Sequence, residues 1–174
     1  GSRLAQKKSQ GRLTSNRAKV FTEWTATVDV MAELLIVGGG KMGTALLGGL
    51  LRHGHGTESI VVVEPVELRG KELTEIYGVR VTAEIEPSDS TILATKPDII
   101  PKVPRQAAEK GTERLLSIAA GVTLATLDEV TGGSLPVVRA MPNTPALVGQ
   151  GAAAICGNSV ANDEDLAWAE AILG

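Results

Sequence analysis

Three glycines set what chemistry this chain can do. Gly38, Gly40 and Gly43 fall on the G-x-G-x-x-G spacing within Leu34-Leu35-Ile36-Val37-Gly38-Gly39-Gly40-Lys41-Met42-Gly43-Thr44-Ala45-Leu46-Leu47. That spacing suits the pyrophosphate of a dinucleotide. Gly38 allows a tight turn out of a strand, Gly40 lets the backbone approach the phosphates, and Gly43 lets the following helix pack close to the strand. Free N–H groups and the positive end of the helix dipole then point at the anion. The motif alone is weakly specific, so the other loops decide what it means.

Glu64 follows Gly43 by 21 residues. An acid at this place accepts hydrogen bonds from the adenosine ribose hydroxyls and repels a 2′-phosphate, which favours NADH. Arg69, one turn further on, either pairs with the phosphate of NADPH or lies on a solvated helix face. In Ala94-Thr95-Lys96-Pro97 the proline forces Lys96 towards an extended conformation, and the small Ala94 leaves room for a flat ring or a ribose. Lys96 is otherwise an ordinary solvated lysine. Two later stretches, Ala119-Ala120-Gly121 and Met141-Pro142-Asn143-Thr144-Pro145, complete the set. The prolines hold Asn143 and Thr144 in a stiff loop, where an amide and a hydroxyl suit the carboxamide of a nicotinamide; a plain turn between strands is the alternative. His53 and His55 close the first helix, where a positive charge suits the dipole, and are expected to be solvated. No convincing general acid stands out.

These loops need a frame that brings them to one edge. Leu34–Val37, Ile60–Val63, Val79–Val81, Thr91–Ala94, Leu115–Ala119, Pro136–Met141 and Ala152–Cys156 read as strands,. Met42–Arg52, Glu67–Tyr77, Asp98–Glu109, Thr123–Val130 and a last segment capped by Asn162 read as helices. Pro101 and Pro104 confine the third helix to its later turns. Such alternation with short connections predicts an α/β, doubly wound, mostly parallel sheet with helices on both faces, a Rossmann-like fold. Right-handed crossovers bring the loops after the strands to a common edge.

Composition narrows the class further. Of the 174 residues 43% are apolar but only 2% aromatic, so the core must be built of Val, Ile, Leu and Ala, as in a buried parallel sheet,. The formal net charge is -3 with no groove-sized basic patch in the folded part, which argues against nucleic acid,. No apolar run is long enough for a membrane span, and a cytoplasmic setting is the default. Cys156, the only cysteine, is expected to be a buried core residue,. Residues 1–30 carry six Lys or Arg (Arg3, Lys7, Lys8, Arg12, Arg17, Lys19) against Glu23 and Asp29. They are expected to be a tag, upstream sequence or a disordered extension, with a basic presequence as the rival; residues 31–174 are expected to be the NAD(P)-binding domain. No metal site is expected.

Taken together, Gly-Gly-Gly-Lys-Met-Gly at 38–43, Ala94-Thr-Lys-Pro97, Ser117-Ile-Ala-Ala-Gly-Val122 and Arg139-Ala-Met-Pro-Asn-Thr-Pro145 resemble pyrroline-5-carboxylate reductase, in its N-terminal domain, from about Ala32 to Gly174. The last motif is the most specific. The resemblance implies reduction of 1-pyrroline-5-carboxylate to L-proline with NADPH or NADH, the final step of proline biosynthesis. It places Val37, Gly38, Gly39, Gly40, Lys41, Met42, Gly43, Glu64, Ala94, Thr95, Lys96, Pro97, Ile118, Ala119 and Ala120 along the cofactor, with Asn143 and Thr144 beside the nicotinamide. Many members carry a small or basic residue where Glu64 stands. The family's helical C-terminal domain holds the substrate carboxylate on a Ser-Gly-Ser-Gly-Pro-type loop and makes the dimer, and these 174 residues are expected to represent the cofactor domain without it. The complete enzyme is therefore expected to be a homo-oligomer, and this chain a monomer that binds cofactor with little or no turnover. Two alternatives share the glycine loop: a dinucleotide-sensing module, with no use for the Asn143-Thr144 loop, and the cofactor domain of another reductase such as a 3-hydroxyacid dehydrogenase.

Overall fold

Residues on alternate sides of short apolar strands dictate a sheet that must be covered twice, and the computed structural model shows how. It describes residues 31–142 and 153–174. In chain order these form β1 (Ala32–Val37), α1 (Lys41–Arg52), β2 (Ile60–Val63), α2 (Glu67–Tyr77), β3 (Arg80–Thr82), β4 (Ser88–Leu93), α3 (Val103–Glu109), β5 (Arg114–Ser117), α4 (Leu124–Thr131), β6 (Val137–Pro142), β7 (Ala153–Gly157) and α5 (Asp163–Leu173), with a short 3-10 turn at Pro97–Ile99. The strands make one sheet in the order β3-β2-β1-β4-β5-β6-β7. All neighbours are parallel except β6 and β7, which run antiparallel with Ala140 opposite Ile155.

Period-two alternation divides the core between the faces. Leu35, Val37, Val61, Val63, Leu93 and Leu115 join Val103 and Ala107 of α3 and Leu127 of α4. Leu34, Ile36, Ile60, Val62, Ile92 and Leu116 pack with Leu46, Leu47 and Leu50 of α1, Leu73 of α2 and Ile172 of α5. The chain winds outwards from β1 through β2 to β3, then returns to place β4 on the other side of β1. That reversal opens a crevice beyond the carboxyl ends of β1 and β4.

The strand ends differ from the sequence reading where polar residues are buried. β4 starts at Ser88, three residues before the expected Thr91. Ser88 and Thr91 share a hydroxyl hydrogen bond of 3.1 Å, and Thr91 bonds Thr112 at 3.0 Å. Paired hydroxyls can be buried in a sheet at small cost, whereas read singly they suggest a loop. The expected third helix resolves into the 3-10 turn and α3, with Pro104 in the first helical turn. Cys156 corrects the expectation of a buried thiol: it is exposed. β7 is the sheet's last strand, and its residues alternate half-buried and exposed, with Ala154 and Cys156 turned outwards.

Asn158 ties this outer part together. The side-chain carbonyl accepts from Val137 N (3.1 Å) and Ala161 N (2.9 Å). Its amide donates to Asp128 Oδ1 (2.7 Å) and Leu135 O (2.9 Å). All four bonding positions of the amide are used, at 9% exposure,. Replacing Asn158 by Ala should cost about 2–4 kcal/mol in denaturant unfolding, because four partners lose their bonds. Asn158→Asp should not rescue it, since a second carboxylate would then face Asp128.

Candidate functional site

The site is built from the turn that joins β1 to α1. Gly38 has φ +114°, a backbone conformation closed to ordinary L residues, and a Cβ there would lie 2.6 Å from Ala94 O,. The chain can thus leave β1 while touching the end of β4, where Ala94 N donates to Val37 O at 2.9 Å. A Cβ on Gly43 would run into the carbonyl oxygen of Gly38. This is the close helix–strand contact that the third glycine permits. Gly40 is different: a Cβ there would meet nothing within 4 Å among the described residues, so its backbone borders open space there. Among the described residues no side chain caps α1, and its first turn carries no acidic residue. Its leading N–H groups therefore remain available to an anion.

Gly39 is held from both sides. Its N–H donates to Glu64 Oε2 at 3.1 Å, while Glu64 Oε1 accepts from Val66 N at 2.9 Å. Its carbonyl accepts from Arg69 Nε at 2.9 Å and from Thr44 Oγ1 at 3.2 Å. Arg69 also donates to Thr44 Oγ1 at 2.9 Å and to Glu72 at 2.8 Å. A side chain at Gly39 would strike Leu73 and the Glu64 carboxylate. Arg69 is thus neither a solvated face residue nor a free phosphate ligand: β2 and α2 use Glu64 and Arg69 to fix the glycine loop.

A cleft of about 730 Å³ opens beside this loop, lined by Val37, Gly38, Gly40, Glu64, Ala94, Thr95 and Lys96 among others. Seven of the sequence-predicted residues therefore meet in one place. Gly39, Lys41, Met42 and Gly43 shape the loop and the start of α1, while Pro97 begins the 3-10 turn. Ile118 and Ala119 are buried at the end of β5, Ala120 is exposed, and none of the three lines the cleft. Asn143 and Thr144 lie outside the described residues. Thr95 contributes a buried Oγ1 that lacks a hydrogen-bond partner among the described residues. His53 and His55 are exposed, away from the cleft.

The far wall was missed by sequence reasoning. It consists of Ile85, Ile99 and Val103, with Gln106 and Lys110 beyond them. These come from the β3–β4 connection, the 3-10 turn, α3 and the residue just after it, which reach the crevice only through the crossover. The wall suits a flat ring, and the glycine loop suits an anion. Among the described residues there is no cluster of His, Cys, Asp and Glu fit for a metal ion, and no helix is long and apolar enough to cross a membrane.

A doubly wound parallel sheet with its ligand cleft at the strand reversal defines a Rossmann-like domain. Residues 33–121 match the family model described as NADP oxidoreductase, coenzyme F420-dependent, and the chain belongs to that family. It is 40% identical over 131 residues to the pyrroline-5-carboxylate reductase of Mycobacterium leprae, spanning 70% of this chain and 45% of that protein. Among solved structures, the pyrroline-5-carboxylate reductase of Coxiella burnetii superposes with a TM-score of 0.75 at 28% identity, over 82% of this chain and 56% of that one. The Plasmodium falciparum pyrroline carboxylate reductase with NADP bound gives 0.70 at 26%, over 82% and 54%. The chain spans about half the length of the curated relatives it matches.

The two glycines separate fold from site. Gly43→Ala should lower unfolding free energy by about 2–3 kcal/mol through overpacking. Gly40→Ala should change it by less than about 1 kcal/mol, since the added methyl points into open space. Equal losses in chemical denaturation would contradict the assignment of distinct roles.

Proposed function

We propose that this chain is the cofactor-binding part of a pyrroline-5-carboxylate reductase, taking up NAD(P)H at the cleft beside the glycine loop. The observation that carries the reading is the pairing of the uncapped start of α1 with open space at Gly40. A pyrophosphate would be held there by backbone N–H groups of the loop and of the first turn of α1, with the helix dipole behind them. Gly38, Gly39, Gly43 and Met42 would shape that cradle, and Lys41 would stand at its rim. The adenosine ribose would lie by Glu64, and Val37, Ala94, Thr95, Lys96 and Pro97 would follow the dinucleotide across the end of β4. The Thr95 hydroxyl, without a partner among the described residues, would donate to or accept from a bound hydroxyl or phosphate oxygen. Ile118, Ala119 and Ala120 would support the far end, with Asn143 and Thr144 on the carboxamide.

In the whole protein a bound dinucleotide would supply the hydride for the imine carbon of 1-pyrroline-5-carboxylate, whose ring nitrogen would take a proton to give L-proline. What this chain's residues do is position: they fix the pyrophosphate and ribose so that the nicotinamide faces the substrate. The substrate would be held by the part of the relatives that this chain does not span, and that part would also assemble the homo-oligomer. Residues 1–30 stand outside the domain in this reading, and the setting is the cytoplasm.

The test is a fluorescence titration of the chain with NADH. Binding is expected in the roughly micromolar to millimolar range, weakened at least about tenfold in Gly40→Ala. The double variant Asn143→Ala, Thr144→Ala should also bind more weakly; unchanged affinity would favour a module that reads only the adenosine half. Robust reduction of 1-pyrroline-5-carboxylate by the 174-residue chain alone would contradict the division of labour.

A further inference from the structure

The adenosine end of the cleft carries a choice between two cofactors. Both oxygens of Glu64 accept backbone N–H groups, from Gly39 at 3.1 Å and Val66 at 2.9 Å. The carboxylate therefore cannot swing away without leaving two amides unpaired, and it stays at the rim of the cleft that it lines,. Each oxygen keeps a further lone pair for a ribose hydroxyl. Glu84, also on this wall, adds a second negative charge.

The cation best placed by sequence to offset them is already committed. The three guanidinium nitrogens of Arg69 are bonded to the Gly39 carbonyl, the Thr44 hydroxyl and Glu72. Turning Arg69 towards a phosphate would release the Gly39 carbonyl that it holds. Lys71 in the same helix is paired with Glu67 at 2.6 Å. Lys96 and Lys110 line the cleft from the end of β4 and from α3, the opposite side from β2. Lys41 lines a separate groove between α1 and α2, with Arg52 and Arg69.

We infer that this site rejects a phosphorylated adenosine ribose and takes NADH in preference to NADPH, with the backbone-anchored Glu64 as the discriminating residue and Arg69 as a positioning residue for the glycine loop. The inference rests on the dinucleotide reading of the cleft and departs from the NADP in the family's description. A 2′-phosphate would replace a hydroxyl that donates to Glu64 with a dianion facing a fixed carboxylate. Like charges brought together in this way discriminate by repulsion as well as by lost bonding.

Equilibrium binding of the unaltered chain tests it without any variant. NADH should bind at least about tenfold more tightly than NADPH at low salt, and the ratio should shrink as ionic strength rises and screens the repulsion. Glu64→Gln should narrow the ratio, because it removes the charge that repels a 2′-phosphate, while the backbone N–H left facing the amide NH2 weakens both cofactors alike,. Arg69→Lys keeps the charge but not the fork of hydrogen bonds, so it should weaken both cofactors alike and leave the ratio in place. If both cofactors bind the unaltered chain equally, or NADPH binds more tightly and loses that advantage in Lys41→Ala, the inference is overturned while the dinucleotide reading stands. If neither binds, both fall.

Discussion

The contact on which the rest depends is that of α1 against the turn that leaves β1. Gly43 lies so close to the Gly38 carbonyl that no side chain fits between them, and Gly38 in turn lies against Ala94 at the end of β4. Those two approaches fix the start of α1 over the crevice between β1 and β4. Without them the N–H groups of the first turn would point elsewhere, and the cleft would lose its anion-binding floor. A helix N-terminus needs no charged side chain to receive an anion, provided that its direction is fixed. Here the packing supplies the direction.

The second constraint is the grip on Gly39. A glycine-rich loop is intrinsically mobile, since glycine loses much conformational freedom when it is ordered. Glu64 and Arg69 offset that cost by taking the N–H and the carbonyl of one residue, Gly39, from opposite sides. The two residues thus couple the loop after β2 and the first turn of α2 to the loop after β1. In the proposed binding mode the carboxylate that holds the loop would also meet the ribose, so that positioning and selectivity would share one side chain.

Much of this was legible in the sequence, for reasons specific to particular residues. The glycine spacing, the β-branched run Ile60–Val63 and the alternation of strand and helix each reflect local geometry, and they gave the fold class and the centre of the site. Glu64 was legible as an acid at the end of β2, but its bonds to Gly39 and Val66 were not, because they depend on where two loops meet. Arg69 read as a phosphate partner or a solvated residue, and spacing along a helix cannot reveal a carbonyl 30 residues away. Ser88 looked like a loop residue because its burial is made tolerable by a hydroxyl chain through Thr91 to Thr112, which lies on a different segment. Cys156 looked like core because its neighbours are apolar, yet an edge strand turns every second residue outwards. The wall from Ile85 and Val103 was hidden for the same reason as Arg69: it is assembled by a crossover.

The central claim is that one dinucleotide lies across the carboxyl ends of β1, β2 and β4, on the start of α1. Amide-resolved NMR of the chain during a titration with NADH addresses it directly. The account predicts that the amides of Gly38 to Gly43, Glu64 and Thr95 shift together with a single affinity, while those of β7 and α5 stay in place. Shifts confined to the groove between α1 and α2, or spread without reference to the glycine loop, would contradict it.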